Sequence, residues 1–143
     1  MAEFVPMEID KARAFLTNNH WGVLATRRKS GQPQMSPVTV GLSSEGQAII
    51  SSRETAYKVI NLRRDPHAAL CAFTDNFHGG GWVQVNGTAE IISLPGALDA
   101  LVYLQRQVYG EHKSWPDFRA RMAREKRVII RITIESVGPK VRG

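Results

Sequence analysis

The chain has one cysteine in 143 residues, which excludes an internal disulfide and suits a reducing compartment. Cys71 sits in the apolar run 68–73, where a buried thiol behaves as a small hydrophobe rather than a nucleophile. No apolar run approaches the roughly 18 residues that a membrane-crossing helix needs. The opening residues Met1, Ala2, Glu3 and Phe4 lack the basic-then-apolar layout of a secretory leader. These absences predict a cytoplasmic protein. Metal ligands are missing as a set, because His20, His67, His78 and His112 lack the spacing of a zinc site. Glu111, Asp117, Glu125 and Glu135 form no obvious acid/base pair. An enzyme built on this chain would therefore leave the chemistry to a cofactor and supply its position.

Positive charge is what the chain has in excess. Nineteen Lys and Arg against thirteen Asp and Glu leave a net +6, which calls for an anionic partner or a solubilising surface. No RNA-recognition signature, zinc-finger spacing or basic helix followed by heptads is present. Aromatics do not alternate with the basic groups as a stacking platform requires. A small polyanionic ligand accounts for the charge as well as a duplex does, and the expected partners exclude nucleic acid and membrane.

Ile9, Ala12, Phe15 and Leu16 recur at helical spacing, so residues 8–18 read as an amphipathic helix. Residues 21–26 read as a strand covered on both faces. Gly31 and Pro33 make the next turn. Residues 34–42 resume as a strand in which Pro37 marks an edge, a bulge or backbone facing a ligand. Residues 47–51, 67–74 and 82–93 are further strands, and Gly87 suggests a bulge or a close backbone approach. Pro95 starts a helix to about Tyr109, with Leu98, Leu101, Val102, Leu104 and Val108 offered to its buried face. Residues 116–126 form another helix, bearing Phe118 and Met122. Residues 127–137 close the chain as a strand with Val128, Ile130, Ile132 and Ile134 on one face. Six strands with peripheral helices, in one domain spanning residues 1–143, predict a mainly β fold and a small barrel.

Residues 51–66 are the densest functional signal. An apolar run ends in Ser51, Ser52 and Arg53, and a short helix follows that Pro66 stops. Ser51, Ser52 and Thr55 are candidate caps, and Lys58 falls in or beside the first turn. Hydroxyls, outward first-turn amides and a lysine together suit phosphate. The alternative is a surface helix with Val59, Ile60 and Leu62 inward and its basic groups solvated.

His78-Gly79-Gly80-Gly81 copies the oxyanion loop of lipases, but the matching nucleophile elbow is missing. Trp82, after those glycines, reads as a core or interface residue, or as a flat wall beside a ring system.

Taken in order, several pieces resemble the pyridoxamine 5′-phosphate oxidase-like split-barrel family, closest to its actinobacterial branch that uses the deazaflavin coenzyme F-420. They are residues 22–26, residues 31–36, Lys58 with residues 61–66, Gly81-Trp82, residues 87–89 and residues 127–130. Together they span nearly the whole chain. The resemblance implies a six-stranded split β-barrel and a homodimer with two cofactor sites between subunits. It places the cofactor phosphate against Ser51, Ser52, Arg53 and Lys58. It places Gln34, Met35, Ser36 and Val38 along the ring system, and Trp82 near the cofactor. Relatives often carry an arginine two places before the lysine, where this chain has Ala56; Arg53 is the candidate replacement. Arg27, Arg28, Lys29, Arg63 and Arg64 suit the glutamate tail of F-420.

The function so implied is an F-420-dependent reductase passing a hydride to a small conjugated or electron-poor substrate. The alternatives are an oxidase using flavin mononucleotide (FMN), or a non-catalytic cofactor-binding module. For the oxidase, Lys140 and Arg142 are only distant candidates for a substrate-phosphate site.

Overall fold

A strand with one wet and one dry face must alternate its apolar residues, and that period curls this sheet into a barrel. The computed structural model describes residues 8–139. Six strands, β1 (Trp21–Arg27), β2 (Pro33–Leu42), β3 (Ala48–Arg53), β4 (His67–Phe73), β5 (Trp82–Ile92) and β6 (Arg127–Gly138), form an antiparallel closed barrel. Its order is β1-β2-β3-β6-β5-β4. Four helices decorate it: α1 (Ile9–Asn18), α2 (Tyr57–Arg64), α3 (Leu98–Tyr109) and α4 (Trp115–Arg124). The expected mainly β barrel is what the chain forms. No helix among the described residues is long and apolar enough to cross a membrane.

The interior is filled by alternate residues. Val128, Ile130 and Ile132 are fully buried with Leu24, Val40, Ile50 and Leu70, and Ile134 nearly so. Each such Leu or Ile contributes roughly 1.5–3 kcal/mol by leaving water. A second apolar cluster lies outside the barrel wall. There Ile49 and Ile129 meet Leu101 and Leu104 of α3 and Phe118 and Met122 of α4. Ile129 thus explains why β6 is apolar on both faces. Gln107 docks α3 on β2 by accepting from Leu42 N at 2.8 Å and donating to Leu42 O at 3.1 Å.

One buried polar chain ties α2 to the barrel. Asn61 Nδ2 donates to Thr26 Oγ1 at 3.1 Å, and that hydroxyl donates to Gln34 Oε1 at 3.2 Å. Thr26 and Asn61 are 1% and 6% exposed, so an unmade bond there costs the full desolvation of the group. Arg64 extends the chain by donating to Asn61 Oδ1 and to the carbonyl of Arg27. Asn61→Ala is expected to lose about 2 kcal/mol, lowering the melting temperature by roughly 4–8 °C. A calorimetric shift below about 1 °C would show that the chain is not a stabilising contact.

The barrel is unevenly closed. β2 pairs with β3 only over Val40–Ile50, Gly41–Ile49 and Leu42–Ala48. The earlier half of β2, from Pro33 to Thr39, pairs with β1, while Ser51, Ser52 and Arg53 pair with β6. The two strands therefore part beyond Val40 and leave a cleft between them. Pro37, which cannot donate to a ladder, stands on the parted side of β2.

Candidate functional site

The cleft is where β3 hands over to α2. Ladder hydrogen bonding runs past the strand end, with Glu54 N donating to Lys126 O at 2.9 Å. Glu54 then pairs with Arg63 at 2.5 Å, which fixes the start of the helix against its last turn. The expected hydroxyl cap does not form. The N-cap of α2 is Ala56, with no side-chain cap hydrogen bond, because Ser51 and Ser52 are still in the β3 ladder. Thr55 does not cap it either. The positive end of α2 is therefore left for another acceptor.

A cavity of about 580 Å³ opens at this point. Pro37, Val38 and Thr39 of β2 form one side, and Ser51, Ser52 and Arg53 of β3 the other. Ala56 and Lys58 lie at the helix start, and Leu101, Leu104, Gln105, Tyr109, Phe118 and Met122 supply the wall from α3 and α4. Arg121, Glu125 and Arg127 complete it. Of the predicted site residues the cavity gathers Val38, Ser51, Ser52, Arg53 and Lys58. Period two divides the serines: Ser52 is 3% exposed and shares its face with Ala48 and Ile50, whereas Ser51 shares the outer face with Ile49 and Arg53.

Gln34, Met35, Ser36 and Trp82 lie outside this cavity. Met35 is 63% exposed, on the opposite face of β2 from half-buried Gln34, Ser36 and Val38. The four β2 residues therefore divide between two faces, as strand geometry demands. Ser36 Oγ is buried and has no hydrogen-bond partner among the described residues. Trp82 stands opposite Phe73, which stands opposite Trp21, which stands opposite Thr39 at the cavity edge. Three strand spacings put Trp82 about 14 Å from Thr39, so it does not wall the cavity of its own chain. This aromatic row is partly exposed, Trp21 at 40% and Trp82 at 38%. Beside it, Trp21, Gly22, Pro37, Val38, Thr39 and Phe73 line a smaller hollow of about 250 Å³.

Burial lowers the pKa of Lys58, and the nearby Arg127 charge lowers it further. Hydrogen bonding from Arg127 holds the Glu125 carboxyl below its ordinary range, with help from the charges of Arg127, Arg53 and Arg121. Three arginines thus surround one carboxylate. Composition and spacing did not single out Arg121, Arg127, Gln105 or Tyr109. They reach the cavity from elements distant in sequence, although residues 127–130 were among the matching pieces.

The basic residues offered for an anionic tail are elsewhere. Arg63 is paired with Glu54, and Arg27 lies 3.7 Å from Asp65. Arg64 is spent on Asn61 and the Arg27 carbonyl. Arg28 and Lys29 are exposed in the β1–β2 turn. None of these five lines the main cavity. Met1, Ala2, Glu3, Phe4, Lys140 and Arg142 lie outside the described residues.

Comparison with known proteins decides the family. The profile described as pyridoxamine 5′-phosphate oxidase matches residues 9–140. The chain belongs to this family. Members of the pyridoxamine 5′-phosphate oxidase family bind flavin-type cofactors and are generally oxidoreductases. Among solved structures, the conserved hypothetical protein Rv2991 from Mycobacterium tuberculosis is 25% identical with a TM-score of 0.76. That match covers 96% of this chain and 86% of the other. A protein described as an F420 reductase is 23% identical with a TM-score of 0.68, over 90% of this chain and 96% of its own. A heme binding protein from Mycobacterium smegmatis is 21% identical, TM-score 0.66, over 94% of this chain and 54% of its own. At these identities the last two likenesses speak for the fold alone.

Proposed function

We propose that this protein binds coenzyme F-420 in the cleft between β2 and β3 and acts as a reductase on a small conjugated or electron-poor substrate. The observation that carries the reading is the polarity of the cavity. Its cations, Arg53, Lys58, Arg121 and Arg127, stand together against a wall that includes Leu101, Leu104, Phe118 and Met122. A ring system joined to a phosphate has the same two-ended character. When bound, the deazaflavin supplies the hydride.

The chain's own residues bind and orient. Lys58 and the uncapped first turn of α2 hold the phosphoryl group, as helix starts hold anions. Arg53 and the hydroxyl of Ser51 stand at the rim, and Ser52 lies just inside. Val38 and Pro37 offer an apolar edge to the ring. Gln34 and the unpartnered hydroxyl of Ser36 continue that strand with groups able to hydrogen-bond it. Apolar side chains of α3 and α4 keep water out, which strengthens each charged contact. Trp82 and Met35 take part through a second copy: the exposed aromatic row ends at the cavity edge, so a partner seated on it completes the cleft. The single cysteine suits a cytoplasmic protein.

F-420 is preferred because the ordered pieces of sequence, residues 31–36, Lys58 with residues 61–66 and Gly81-Trp82 among them, most resemble the branch that uses it. FMN is the second reading, favoured by the family to which the chain belongs. Separate titrations of F-420 and FMN, followed by fluorescence, decide between them. The expected result is at least about tenfold tighter binding of F-420, a gap of about 1.4 kcal/mol, by a protein that sediments as a dimer. A yellow protein that retains FMN through purification would overturn the choice. Binding of neither cofactor would end both readings, and a monomer would remove Trp82 from the site.

A further inference from the structure

We propose that Arg127, rather than Arg53, is the second cation that grips the anionic group of the ligand, and that Glu125 is the positioning residue that aims it. This rests on the reading of the cavity as a phosphoryl site. Arg53 and Arg127 stand directly opposite each other on β3 and β6, yet they are not equivalent. The Arg53 side chain is 60% exposed and 3.9 Å from Glu125. The Arg127 side chain is 25% exposed, and both its Nε and Nη2 lie 2.8 Å from Glu125 Oε1.

A guanidinium is planar, so gripping that edge fixes its plane and turns Nη1 away from the carboxylate. The side chain has then already lost its rotamer freedom and has little left to lose on binding. Arg53 would have to be ordered by the ligand. Arg121 is engaged with the wall, its guanidinium carbon 5.6 Å from the Phe118 ring centroid. Arg127 is also near enough to Lys58 to oppose its protonation, after burial. An anion between the two cations relieves that repulsion, and a phosphoryl oxygen accepts from both at once.

The test uses the full-length protein with F-420, FMN and inorganic pyrophosphate as separate probes. Arg127→Met is expected to weaken whichever cofactor binds by at least about tenfold, and Arg53→Met by less than about threefold. In the cofactor-free protein, Arg127→Met should also move the NMR titration of Lys58 to higher pH. Glu125→Ala separates positioning from simple charge. Removing a carboxylate from an anion site should tighten binding on Coulombic grounds, whereas loss of aim weakens it, and a weakening of at least about threefold is expected. In the Arg127→Met background the same change should weaken nothing, because no guanidinium remains to be aimed.

Unchanged affinity in Arg127→Met, a larger loss in Arg53→Met, or tighter binding in Glu125→Ala would overturn the proposal. Should Arg127→Met fail to fold, Arg127→Lys carries the test. It keeps the charge but not the two-nitrogen grip, so wild-type affinity there would overturn the proposal and a clear loss would support it. Pyrophosphate binding without either cofactor would refute the cofactor reading and leave Arg127 judged on pyrophosphate by the same criterion. A wild-type protein that binds none of the three refutes both.

Discussion

Replacing Lys58 by Met is expected to weaken cofactor binding by between about tenfold and a hundredfold while leaving the protein at least as stable at pH 7. The affinity change follows from losing a charge-assisted contact worth about 1.5–3 kcal/mol. The stability change has the opposite sign from the usual loss of a buried group. Lys58 is held below its ordinary pKa first by burial and then by the Arg127 charge. Between the folded and unfolded pKa values the unfolded chain therefore binds more protons, and stability rises with pH through that window. Below the folded value the penalty is present in full, so removing the charge relieves it. Wild type should gain on Lys58→Met in melting temperature as pH rises through the alkaline window. The same lowered pKa makes cofactor affinity fall earlier in alkali than an ordinary lysine would allow. Melting curves at pH 7 and pH 10, with a titration at each, measure both effects. A variant that melts well below wild type at pH 7 would show Lys58 to be a structural residue rather than an anchor.

Much of the barrel was legible because it rests on period-two burial and on turns marked by Gly and Pro. Val128, Ile130, Ile132 and Ile134 all face the core as their spacing required, and Phe118 and Met122 are buried as paired. Local chemistry misled at the helix cap. Three hydroxyls precede α2, yet the β3 ladder claims Ser51 and Ser52 and leaves Ala56 at the cap. Charge counting also misled, because it could not tell arginines bound to Glu54, Asp65 and Asn61 from those facing the cavity. Glu125 and Arg127 stand only two residues apart, where α4 ends and β6 begins, so their contact is local. Their approach to Arg53 is not: it exists only because β3 pairs with β6, and no spacing in the chain records it. Trp82 shows the same limit: sheet order carries it three strands from the cavity edge of its own chain, so its place beside a ring depends on a second copy, which no local spacing records.

Gly87→Ala is expected to be the most damaging single-methyl change described, costing about 3–4 kcal/mol and lowering the melting temperature by roughly 6–16 °C. A Cβ at this position would fall inside the van der Waals shell of the Thr133 carbonyl oxygen and within 2.9 Å of Ile132 Cγ2. The first obstacle is backbone, so no rotamer change relieves it. Gly31→Ala is the control: its φ of +91° strains an alanine, but nothing lies within 4 Å of the added carbon, so only about 1 kcal/mol should be lost. The reason the backbones come so close is the bulge. The β5–β6 register passes from Gly87–Ile134 to Asn86–Ser136, which leaves Glu135 as the extra residue. Before the bulge β6 buries Ile130, Ile132 and Ile134; after it the buried position opposite Val85 is Val137. The extra residue thus reverses the parity of β6 so that both halves turn an apolar side chain inward. An alanine at 87 must strain the bulge or slip the register, and a slip of one residue would bring Arg131 inward and turn Ile130 and Ile132 out. Melting of the two variants by calorimetry decides the matter: equal losses at positions 31 and 87 would mean that the bulge has room to spare.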